Sequence, residues 1–158
     1  MLENHNLEKL IWDDTDFPKM GWHDARIYAM SFNSDNYELA LDIDYIVKWV
    51  NPANAGSPFK FWVAPATLVF RNVYDLNISQ YTLDIEIQDI HRENPVVPKN
   101  ANDIDRYEYD WRIETTNGEI TFKAVGYKQY FRKSPVLLDS QAIDFKERGG
   151  ISFENKVD

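Results

Sequence analysis

Residues 37 to 50 read Y-E-L-A-L-D-I-D-Y-I-V-K-W-V, and this stretch decides the fold class. Leu39, Leu41, Ile43, Tyr45, Val47 and Trp49 recur at every second position, with Ala40, Asp42, Asp44 and Lys48 among the residues between them. Successive side chains of a strand point to opposite faces, so a period of two marks a long strand with one apolar face. The odd-numbered residues are expected in a core and the two aspartates in water.

The neighbouring segments extend this pattern. A first strand is expected from Asp24 to Asn33, turning through Ser34, Asp35 and Asn36, residues that tolerate a left-handed backbone. With Asp35-Asn36 as the loop, Phe32 faces Leu39, Met30 faces Leu41 and Tyr28 faces Ile43, while Ala29 and Ile27 oppose Asp42 and Asp44. A slip of one residue would mismatch the faces. Residues 59 to 73 are apolar on both sides in the middle, which requires cover on both faces. Pro65 has no N–H for a ladder and points to an edge or a bulge. Residues 81 to 90 alternate again, with Leu83, Ile85 and Ile87 expected inward. His91 to Asp105 reads as a long loop.

Asn117-Gly118 is a strong hairpin signal; as the loop it pairs Thr115 with Ile120, Ile113 with Phe122, Trp111 with Ala124 and Tyr109 with Gly126. Gly126 marks a bulge, and Ser134-Pro135 ends that strand. Leu137 to Arg148 fits a short helix or a strand, and a last strand is expected from Ile151 to Phe153 after Gly149-Gly150. At the other end, Leu7, Leu10 and Ile11 give residues 1 to 12 the apolar side of a short helix, followed by an acidic turn at Asp13, Asp14 and Asp16. The expectation is an all-β protein, 1–158 as one domain, built as an antiparallel sandwich or an open curled barrel.

At 158 residues the chain is long enough for a core without staples, and its 15% aromatic content suits a β-rich interior. Seventeen basic against 26 acidic side chains give a net charge of -9. A surface of that sign repels phosphate backbones, so nucleic acid is not expected as a partner and a basic protein is. The absence of cysteine excludes disulfides and thiolate chemistry. No signal peptide or apolar span is legible, and the expected location is cytoplasmic; Asn77-Ile78-Ser79 is then a chance match to a glycosylation acceptor.

Chemistry, if present, centres on Trp22, His23 and Asp24 just before the first strand, together with Asp42 and Asp44. Alternate strand positions put those two carboxylates on one face, roughly 7 Å apart, a spacing suited to a hard cation or a shared proton. Two solvated side chains are the plainer expectation. His23 and Asp24 reach one site only if the strand has not yet begun. His5, His23 and His91 have no ligand spacing, no nucleophile elbow or phosphate loop exists, and Glu108, Glu114 and Glu119 carry no specific carboxylate signature, so neither a metal nor a cofactor is expected. Lys123, Lys128, Arg132, Lys133, Lys146 and Arg148 lend the last third a basic share against an acidic first third, which suggests two faces.

The segments W-H-D-A-R-I-Y (22–28), L-D-I-D-Y-I-V-K-W-V (41–50), F-W-V-A-P-A-T-L-V-F (61–70) and E-R-G-G-I-S-F (147–153) resemble a group of small bacterial proteins without an assigned activity, over roughly residues 20 to 153. The histidine–aspartate pair opening the first strand is similar to some immunity proteins of bacterial toxin systems, which neutralise a toxin by binding it. That resemblance implies no catalytic residue. A non-enzymatic, immunity-like binding protein is the leading expectation. The alternatives are a small-ligand binder lined by Trp49, Trp62 and Trp111, or a carboxylate- or metal-dependent hydrolase around His23, Asp24, Asp42 and Asp44.

Overall fold

The computed structural model describes residues 7–98 and 107–155. Its strands are β1 (Ile11–Asp13), β2 (Arg26–Asn33), β3 (Glu38–Val50), β4 (Lys60–Arg71), β5 (Tyr74–Gln80), β6 (Ile85–Val96), β7 (Glu108–Thr115), β8 (Gly118–Ala124), β9 (Gly126–Phe131) and β10 (Val136–Leu138). They form one antiparallel sheet in the order β1-β9-β4-β3-β2-β6-β7-β8-β5, with β10 on β4. The protein is all-β, and the sheet does not close. Its two wings fold over one core, in which Leu41, Ile43, Leu68 and Phe70 of one wing meet Trp111, Ile113, Ile120 and Phe122 of the other. Phe70 sits at the seam, its ring centroid 5.1 Å from Trp111 and 4.7 Å from Phe122.

The 37–50 strand is β3, and Leu39, Leu41, Ile43 and Tyr45 enter the core as expected. The hairpin register holds from Phe32↔Leu39 to Ala29↔Asp42, then shifts at Tyr28, so Ile27 faces Ile43 and Arg26 faces Asp44. This bulge sends the Tyr28 side chain to the face of Asp44, opposite to the expected one. In the second hairpin Thr115 pairs with Gly118, Ile113 with Ile120, Trp111 with Phe122 and Tyr109 with Ala124. The loop is therefore Thr116-Asn117, and each pairing differs by two residues from expectation. Gly118 belongs to β8, where any Cβ would collide with the Ser79 carbonyl of β5. A shift of two preserves the face of every side chain, so the inward set is unchanged.

Pro65 lies inside the sheet, opposite Asp44. On its other side β9 pairs as far as Ala66 and β10 begins at Val63, so the missing N–H falls in the gap between two partner strands. Strand β6 starts at Ile85 and runs to Val96; Tyr81 and Leu83 are 94% and 97% exposed. Leu83 is thus not inward, and 91–96 is strand rather than loop, the rest of the expected loop to 98 being coil and 99–105 lying outside the described residues. Gly126 stands where β8 hands over to β9, its Cα against the Asp14 carboxylate, which accepts from Tyr127 N at 2.5 Å.

The N-terminal helix is not formed over residues 7–12, which end in the first two residues of β1 instead; residues 1–6 lie outside the described range. The acidic turn is a 3-10 helix, Asp14–Lys19, capped by Asp13. Although burial favours the neutral acid, Lys9 at 2.7 Å and the Asp13 N–H hold the Asp16 carboxyl below its usual range. Beyond β10 the chain turns without helix, and residues 151–155 form no strand, so the expected last strand from Ile151 to Phe153 is not made. Among the described residues no helix is long and apolar enough to cross a membrane.

Candidate functional site

The C-terminal segment, residues 139–155, lies as a strap over the outer face of β2, β3 and β4, and this placement overturns the expected position of the aspartates. Asp42 and Asp44 are each 0% exposed. Strand β4 shares that covered face, and Ile143 of the strap packs there with Ile46, Phe61 and Val63.

Arg148, itself buried, reaches from the strap to both carboxylates. Its Nη1 and Nη2 donate to Asp42 at 2.9 and 2.7 Å, and its Nε donates to Asp44 at 3.1 Å. Arg132 donates to Asp42 at 2.6 Å and to Thr67 Oγ1 at 2.8 Å. Backbone N–H groups complete the shell, Ser152 to Asp42 at 3.0 Å and Ile143 to Asp44 at 2.8 Å. Arg148 also donates to the Gly150 carbonyl, and Thr67 donates to the Glu154 carbonyl at 2.7 Å. Two anions meet two cations, so the buried charge is balanced, and such a group survives burial only when its hydrogen bonds are made.

Tyr28, re-aimed by the bulge, seals one side. Its hydroxyl lies 3.0 Å from Asp44 Oδ2 and 2.9 Å from the Ile143 carbonyl oxygen, two acceptors that require a protonated phenol. Burial and the Asp44 charge push that phenol up to about 12. The guanidinium of Arg148 lies 3.9 Å from the ring centroid, where the π-face attracts a cation. Burial works against the charged guanidinium, yet the two carboxylates raise its affinity for the proton further.

Asp42 accepts four hydrogen bonds and Asp44 three. A carboxylate offers about four acceptor positions, so the pair is occupied by the protein's own donors. The arrangement is a lock between sheet and strap. It leaves little of either carboxylate for a cation or a substrate.

The other expected site residues diverge. Trp22 is core: its Nε1 donates to Gln129 at 2.8 Å and its ring meets Tyr127 edge-on at 5.5 Å. His23 is exposed, stacks on Trp49 at 6.5 Å and donates from Nδ1 to the Gln88 carbonyl at 3.0 Å. Asp24 precedes β2 in the left-handed region, φ 67°, and accepts from Gln141 of the strap at 2.7 Å. Because the strand has not begun, His23 Nε2 and Asp24 Oδ1 approach to 3.5 Å. Burial and the hydrogen bond that its protonated form donates to Asp24 raise the Glu86 carboxyl beside them. The three tryptophans are dispersed: Trp111 is in the main core, whereas Trp62 and Trp49 lie outside that cluster near the end of β3. No three His, Asp or Glu side chains gather as a ligand set among the described residues.

Charge divides between the wings, but not as first and last thirds. Residues 74–98 and 107–124, the β5–β8 wing, carry nine acidic and three basic side chains, against thirteen and eleven over residues 7–73 and 125–155. The three bases are engaged: Lys123 with Asp110 at 3.0 Å, Arg112 near Glu114 at 3.7 Å, and Arg92 over the rings of Phe17 and Tyr109. Asp75, Asp84, Asp89, Glu93 and Glu119 are exposed. Arg132 and Arg148, counted among the basic residues of the last third, are buried in the lock. No family model, curated protein or solved structure matches this chain.

Proposed function

We propose that the protein is a non-enzymatic binding protein whose acidic β5–β8 wing meets a basic protein partner in the cytoplasm, in the manner of an immunity protein. The supporting observation is the concentration of uncompensated acid on that wing, where nine acidic side chains face three basic ones. Such a surface steers a basic partner and repels nucleic acid. The hydrolase reading loses its proposed carboxylate pair, because Asp42 and Asp44 are enclosed and hydrogen-bonded by the protein itself.

The test is a low-salt pull-down from the native host with wild type and with a variant carrying Asp75→Asn, Asp84→Asn, Glu93→Gln and Glu119→Gln. A stoichiometric basic protein held by the wild type, released by salt and lost by the variant, supports the reading. Equal retention by both proteins, or recovery of no stoichiometric partner, overturns it.

A further inference from the structure

Strand β5 has a feature that steering by charge does not require. It ends the strand order and pairs with β8 along one side, so its other backbone edge has no strand partner among the described residues. Six of its seven residues are exposed. Free edges invite pairing with another chain, and proteins blunt them with short strands, charges or proline. The opposite end of the path, β1, is only three residues long and ends in Asp13. Strand β2 is open beyond Ile27 but half-buried from Tyr28 to Ser31.

Strand β5 carries less protection. A register shift between Tyr74 and Asn77, with Asp75 at φ 52°, bends its start. The remaining run, Leu76-Asn77-Ile78-Ser79-Gln80, holds no charge and no proline. Leu76 and Ile78 are 38% and 44% exposed, and the following loop adds the exposed Tyr81 and Leu83. Apolar side chains gathered beside an open edge mark an interaction surface. Acid surrounds it: Asp75 within the strand, Asp84 after it and Glu119 on β8 directly opposite Ser79.

We propose that β5 is a docking strand, to which an extended basic segment of a partner protein adds along Leu76–Gln80. Main-chain hydrogen bonds provide the pairing, as in β-strand addition generally. Apolar side chains of the segment cover Leu76 and Ile78, while its lysines or arginines meet the acids around the strand. A second copy of this chain fits less well, since it would bring two strongly acidic wings together. This inference rests on the binding reading above and adds where, and in what conformation, the partner is held.

The probe is a labelled peptide of about ten residues, a usual upper length for a strand, alternating lysine and valine. A second peptide has every backbone amide N-methylated, which keeps its charge and side chains but removes the N–H donors of both edges. At low salt the first should bind at least about tenfold more tightly, since only it can make the main-chain hydrogen bonds. Slowed amide exchange should centre on residues 76–80. The exposed substitution Ile78→Lys should weaken binding while leaving the melting transition in place. Equal binding of both peptides, or protection confined to other strands, overturns the docking strand while leaving an acidic wing that attracts by charge alone. Absence of binding overturns it too, and the pull-down then judges the wider reading separately. A wild-type dimer that dissociates on Ile78→Lys would assign the edge to a second copy and overturn the proposal.

Discussion

The two wings treat charge in opposite ways. On the strap side, Asp42, Asp44, Arg132 and Arg148 are withdrawn from water and paired with one another. On the β5–β8 side, acids stand exposed and outnumber the bases. Charge in the first region holds chain to chain, so removing one member should damage the fold. In the second it is available to something outside, so its removal should cost the fold little. Arg148→Met breaks the comparison most severely. It leaves two buried carboxylates short of partners, a defect worth about 3–5 kcal/mol, measurable by denaturant unfolding. Adding Asp42→Asn and Asp44→Asn should recover part of that loss. A loss below about 1 kcal/mol for Arg148→Met, the range of an exposed pair, would show that the lock does not hold the strap.

Gly126→Ala probes the seam between the wings. A methyl there collides with the Asp14 carboxylate and displaces the bond to Tyr127 N. Overpacking of this kind costs about 1–3 kcal/mol. Asp14→Ala in the same background should relieve the collision, and strictly additive losses in the double variant would refute the contact.

On the acidic wing the sign reverses. Glu114 and Glu119 are directly opposed in the β7–β8 register, and like charges so placed destabilise. Glu119→Lys should stabilise by about 0.2–1 kcal/mol, an effect smaller than either preceding loss, seen as a higher unfolding midpoint. A measurable destabilisation would mean that Glu119 serves the fold after all.

The same division explains what could be read from the chain beforehand. Alternation identified β3, the apolar β4 and the inward faces of both hairpins, because parity is a local property and survives a shift of two. It failed at Tyr28, where one extra residue reverses the face. Asp42 and Asp44 were placed in water because their alternation with Leu41 and Ile43 describes an ordinary amphipathic strand. What covers them lies about a hundred residues downstream in a segment with no periodicity. One signal did point the right way: residues 59 to 73 are apolar on both sides, and a neighbour paired with such a strand shares its covered face. Arg132 and Arg148 looked like surface charge, since nothing local distinguishes a buried guanidinium. Trp22 was singled out for its place beside His23, though a turn sends it to the core.

The smallest expected effect lies between the wings, where Glu86 shares a hydrogen bond with Asp24 and its carboxyl is raised by burial and by that bond. A carboxyl raised on folding binds its proton more tightly in the native state. Its favourable contribution is therefore complete below the ordinary glutamate range and is lost as pH rises through the raised value. Two carboxyls of β7 run the other way. Hydrogen bonds from Asn94 and Lys123 lower Asp110, and one from His91 lowers Glu114, so their contributions appear above the ordinary range and fade as pH falls. Stability against pH in the wild type is the sum of both, and no single profile separates them. Glu86→Gln retains the shape and removes only the titration, so subtracting its profile from the wild-type profile isolates Glu86. The difference should fall, to the disadvantage of the wild type, as pH rises above the ordinary glutamate range, and then level off. Superimposable profiles would show that Asp24 and Glu86 do not share a proton in solution. A difference growing instead towards low pH would assign Glu86 to the lowered class and detach it from the strap-side turn.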